Sequence, residues 1–113
     1  MKTALLIALT IFANQLAYAG GDRAAGASKS KPCATCHGAD FNTPISADIP
    51  RLGGQHADYL ARALTDYKSG ARKNPVMDGQ AAALSPQDIQ DIAAYVSSLN
   101  GNLKVIRLRR LVH

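Results

Sequence analysis

This sequence contains no tryptophan and no glutamate, and only two phenylalanines, two cysteines and two methionines. So few aromatics leave a core of alanine, leucine and isoleucine, which is thin for one small domain. Chains this short often need a staple, such as a disulfide, a metal or a bound cofactor. No apolar run reaches the roughly twenty residues that a membrane-spanning helix needs. No segment before residue 104 reads as a strand of convincing length, and no repeat or low-complexity tract appears. These absences leave a single small helical domain.

An excess of charge is missing too, despite a formal net charge of +5. Lys2 sits at the start, and Lys104, Arg107, Arg109 and Arg110 sit in the last ten residues. Between Gly20 and Leu103, eight basic residues are balanced by eight aspartates. A neutral body gives no reason to invoke nucleic acid. The opening residues 1–19 read as a cleaved secretory signal. Lys2 precedes an apolar stretch from Ala4 to Ala13, and Ala17-Tyr18-Ala19 offers small residues for cleavage before Gly20. No cysteine stands at that junction, so it is not a lipoprotein signal. Export to the periplasm is expected, with residues 20–103 as the domain and 104–113 as a tail.

Punctuation and periodicity then place the helices. Asp22 caps a short helix from Arg23 to Lys31 that Pro32 limits, with Gly26 inside it. Gly38 to Gly54 reads as a loop. Gln55 to Ser69 reads as a helix, with Leu60, Ala63, Leu64 and Tyr67 on one stripe and Asp58 paired to Arg62. Gly70 stops it. Ala71 to Gly79 reads as a second loop holding Met77, and Gln80 to Leu84 adds a turn. Ser85, Pro86 and Asp88 open a last helix whose stripe is Ile89, Ile92, Ala93, Val96 and Leu99, ended by Asn100-Gly101. The expected fold is all-α, with three to five helices.

Both cysteines lie in KPCATCHGAD, two residues apart, with His37 directly after the second. A disulfide across so short a loop restrains the unfolded chain little. A thioredoxin-like exchange site needs a βαβ pattern that is absent. A zinc site lacks a second ligand pair. C-x-x-C-H is the attachment signature of c-type haem: two thiols bond the vinyl groups on one porphyrin edge, and His37 binds the iron from below. Haem would also fill the thin core. For the other axial position the residues after 19 offer His56, His113 and Met77. His56 on a helix reads as solvated surface and His113 is the last residue. Met77, flanked by Asp78 and Gly79 rather than by an apolar stripe, is the expected ligand, and His/Met ligation raises the reduction potential.

The chain from Gly20 to Leu99 resembles class I cytochromes c, most closely the bacterial c553 and c4 group. The segments that carry the resemblance are GDRAAG, CATCHGAD, IPRLGGQHADYLARALTDYKSGARKNPVM and LSPQDIQDIAAYVSSL. It implies a small fold wrapped around one covalent haem c held by Cys33 and Cys36, with iron ligands His37 and Met77. It implies that the Pro50 carbonyl orients the haem histidine, and that Gly26 packs against Tyr95. Tyr59, Tyr67 and Arg72 are candidate haem contacts, although Tyr67 also reads as core and Arg72 as solvated surface.

The function implied is single-electron transfer between redox proteins, by a monomer that is not an enzyme. A haem enzyme or gas sensor with an open iron site is the alternative, and a non-haem dithiol protein a weaker one. The tail, KVIRLRRLVH, departs from the resemblance. It reads as a disordered end, as a basic-apolar patch for an anionic membrane surface or acidic partner, or as a segment without a role.

Overall fold

The computed structural model describes residues 20–101. The proposed signal segment 1–19 and the tail 104–113 lie outside the described residues. Five helices follow one another: α1 (Arg23–Lys29), α2 (Lys31–His37), α3 (Ala57–Ser69), α4 (Pro75–Ala82) and α5 (Pro86–Ser98). No strand occurs among the described residues.

Each start has a local cause. Asp22 caps α1 by accepting the Ala24 and Ala25 amides. Asn74 caps α4 by accepting those of Val76 and Met77, and Pro75 opens the first turn. Ser85 and Asp88 close a reciprocal capping box on α5. The first expected helix is shorter than its reading, ending at Lys29 rather than Lys31. Pro32 does not limit it; it sits in the first turn of α2, where a missing N–H costs nothing. Met77 is likewise not in a loop, because Asn74-Pro75 is a helix start. Arg62 pairs with Asp66, not Asp58. Asp58 lies in the first turn of α3, where its carboxylate accepts the Tyr59 amide.

The core is small. It consists of Phe41, Leu60, Ala61, Ile89, Ile92, Ala93 and Val96, flanked by Leu52, Leu64, Leu84, Tyr95 and Leu99. The expected α5 stripe is therefore the buried face. Helices α1 and α5 pack face to face, and α5 also packs on α3, which packs on α4. Gly26 is the closest approach. A β-carbon there would overlap the Asp91 carbonyl and lie 2.8 Å from Tyr95 Cβ. Lys29 straps the same pair, reaching Asp88 at 2.8 Å and Asp91 at 2.6 Å.

Candidate haem site

Helix α2 is the motif itself. One helical turn carries Cys33, Cys36 and His37, and Gly38 ends it at φ +89°, a left-handed value that favours glycine. His37 is buried, at 6% exposure, and its Nδ1 lies 2.9 Å from the Pro50 carbonyl. A carbonyl only accepts, so Nδ1 carries the proton and donates it. The Nε2 lone pair is left available, which is the tautomer that a metal-binding imidazole needs.

A cavity of about 240 Å³ opens among α2, α3, α4 and α5. Cys33 and His37 line one wall and Met77 also lines it. Tyr59, Leu60, Ala63, Leu64 and Tyr67 come from α3, and Ile92, Ala93 and Val96 from α5. Pro50, Arg51, Leu52 and Arg72 are among the residues that line it from the connecting segments. Cys36 is half-buried on α2 but is not among the lining residues, and its carbonyl accepts the Ile45 amide. His56 is exposed at the start of α3. The chain thus brings Cys33, His37, Pro50, Tyr59, Tyr67, Arg72 and Met77 to one cavity.

Charge is sparse there. The Arg72 guanidinium lies 4.9 Å from the centre of the Tyr67 ring. A hydrogen bond with Tyr59, with Tyr67 nearby, holds the Arg72 pKa above its usual value. Burial pushes the Cys33 thiol up. Among the described residues no three His, Cys, Asp or Glu side chains gather as a zinc site requires.

The donor set fits haem. An imidazole with a free Nε2 and a thioether sulfur share one apolar cavity, a cysteine stands in its wall, and the guanidinium groups of Arg51 and Arg72 suit the carboxylates of a porphyrin. Periodicity missed several lining residues, Phe41 and Asn74 among them. Phe41 lines the cavity from a loop, where apolar period is silent. Asn74 both caps α4 and lines the cavity, and the dipeptide Asn-Pro before Met77 was its only signal.

Comparison with known proteins agrees. The cytochrome c family profile matches residues 22–100. Cytochrome c4 of Pseudomonas aeruginosa is 43% identical over 97 residues, covering 86% of this chain and 48% of the relative. Cytochrome c-554(548) of Halomonas halodenitrificans is 43% identical over 81 residues, covering 69% of this chain and 96% of the relative. The crystal structure of reduced recombinant cytochrome c4 from Pseudomonas stutzeri superposes with a TM-score of 0.60 at 33% identity, covering 72% of this chain and 52% of that one. The chain spans about half the length of the cytochromes c4 it matches. Its five helices have the class I cytochrome c fold, and the chain belongs to the cytochrome c family, whose members hold haem c covalently.

Proposed function

We propose that this chain carries single electrons through one haem c, bonded to Cys33 and Cys36 and ligated at iron by His37 and Met77. The carrying observation is that His37, with Nδ1 committed to Pro50, shares one apolar cavity with Met77. When bound, haem iron changes between two oxidation states without a substrate on the metal.

The protein's residues do the rest. Pro50 fixes the tautomer of His37. Asn74 accepts the Met77 amide at 3.0 Å, which ties the first turn of α4, and with it the thioether, to the cavity. Leu60, Leu64, Ile92 and Val96 exclude water, so the reduced, less charged state is favoured. Arg72 and Tyr59, which line the cavity, would hold the carboxylates of a bound porphyrin. The cavity, about 240 Å³, lies below the range of most ligand sites, roughly 300–1,000 Å³, so a bound porphyrin would extend beyond it.

The proposed setting is the periplasm, reached through residues 1–19, with redox proteins as donor and acceptor. No helix among the described residues is long and apolar enough to cross a membrane. A spectroelectrochemical titration of the purified holoprotein tests the reading. One reversible one-electron wave, a low-spin spectrum in both states and the weak red-end band of methionine-bound ferric haem are expected. Ready binding of carbon monoxide by the reduced protein, with that band missing when oxidised, would support an open iron site instead.

A further inference from the structure

Phe41 is the only non-glycine residue with a positive φ among the described residues, at +56°. Bulky side chains rarely adopt this left-handed conformation. It is also the largest fully buried side chain, at 2% exposure. An outlier of this kind persists only where its surroundings over-determine it.

Two sets of contacts do so. The Phe41 carbonyl accepts both the Leu52 amide at 2.8 Å and the Gly53 amide at 3.0 Å, and its own amide donates to Gly38 at 3.0 Å. The residue thus ties the end of the C-x-x-C-H helix to the segment that follows Pro50. Its ring lies 6.4 Å from the His37 ring with 14° between planes, an offset stack, and meets Tyr95 edge-on at 6.2 Å and 86°. The backbone alone would be better served by glycine. What phenylalanine adds is a ring beside the imidazole.

We propose that Phe41 is a positioning residue for His37: its ring sets the imidazole plane and keeps Nδ1 on the Pro50 carbonyl. A single hydrogen bond at Nδ1 leaves the ring free to rock about that contact. A parallel neighbour, braced by Tyr95, removes that freedom. Phe41 touches no reacting atom and acts through His37. The inference rests on His37 being the axial ligand.

The test uses full-length holoprotein carrying Phe41→Gly or Phe41→Leu. Glycine keeps the backbone contacts and relieves the left-handed strain while deleting the ring. Leucine keeps the strain and much of the bulk. The expected results are the same in both variants. In the reduced protein the His37 Nδ1 proton exchanges faster, by up to about tenfold, the factor that one aromatic pair implies. In the oxidised protein the low-spin electron paramagnetic resonance g values shift or broaden. A role in packing alone would change thermal stability and leave exchange and g values at wild-type values, and that result overturns the proposal. Should Phe41→Leu fail to assemble, Phe41→Met fills the pocket flexibly and is read in the same way. Wild-type spectra separate the two levels. Loss of the low-spin signature in His37→Ala with unchanged Phe41 variants sinks this inference alone. A wild-type spectrum retained by His37→Ala sinks the ligation reading first.

Discussion

In the proposed ligation, Met77 and Arg72 would set the potential by different means. Met77→Ala removes the only thioether in the cavity. Covalent attachment, which belongs to α2, is expected to survive. The midpoint potential should fall by on the order of 0.1 V or more, within the ~0.8 V span that axial ligands set, and the iron should accept carbon monoxide. An unchanged visible spectrum would remove Met77 from the ligand set. Arg72 acts through charge. Its guanidinium stays protonated at every working pH, and a fixed cation favours the electron-rich state. Arg72→Gln should therefore lower the potential more weakly than Met77→Ala, and voltammetry of the two variants gives the order. A higher potential in Arg72→Gln would place the cation away from the haem.

The pair α1 and α5 is the load path between helices, and two changes probe it. Lys29 bridges Asp88 and Asp91, and Asp91 also accepts the Asp22 amide and the Gln87 side chain. Lys29 pulls Asp88 down to about 2, and Asp91 is lowered as well, chiefly by the same ammonium. Lys29 is raised by the two carboxylates. Depressed carboxylates contribute stability that is present above the unfolded value of about 3.9 and is lost as pH falls through the folded one. The raised lysine contributes stability below about 10.4, lost as pH rises through its folded value. Lys29→Met should thus lower the melting temperature near neutrality and flatten its fall between about pH 4 and 2. Parallel acid limbs in wild type and variant would show that the strap carries no linkage. Gly26→Ala forces a methyl into the Asp91 carbonyl and should cost about 1–3 kcal/mol by denaturant unfolding, as overpacking does. A neutral result would mean that α1 slides freely.

Much of this was readable at the element scale, for physical reasons. Ser85-Pro86-x-Asp88 announces α5 because caps and proline act locally, and Ile89, Ile92, Ala93 and Val96 are periodic because they face protein. Asn74-Pro75 carries the same cap-and-proline chemistry, yet α4 was hidden. Its residues Pro75–Ala82 show no apolar stripe, because Met77 faces the cavity and Val76 is 63% exposed. Pro32 misled in the same way, since a proline stops one helix or starts the next, and the sequence alone does not say which. At the site, the contact of Pro50 with His37 was legible from the resemblance, and Met77, expected as a ligand, lines the same cavity as His37. Phe41 was not legible, because a left-handed backbone at a non-glycine residue leaves no trace in composition or spacing.

The whole molecule divides into a part held by protein contacts and a part that faces the cavity. The contact between α1 and α5 rests on Gly26, the Lys29 strap and the Asp22–Asp91 hydrogen bond, none of which involves the cavity. Helices α3 and α4 present Tyr59, Leu64, Tyr67 and Met77 to it instead. Helices of 7 to 13 residues are marginal in water without packing, so each depends on what it packs against. Haem removal should therefore not loosen the chain evenly. In protein produced without haem attachment, amides of α3 and α4 should lose hydrogen-exchange protection, while those of α1 and α5 keep more of theirs. Circular dichroism should show lower helix content and a broad melt in place of a cooperative one. Cooperative melting of the haem-free chain at the holoprotein temperature would contradict this division. It would mean that the small core around Ile92 and Val96 suffices on its own, and that the cavity is a pocket cut into a fold already stable without its occupant.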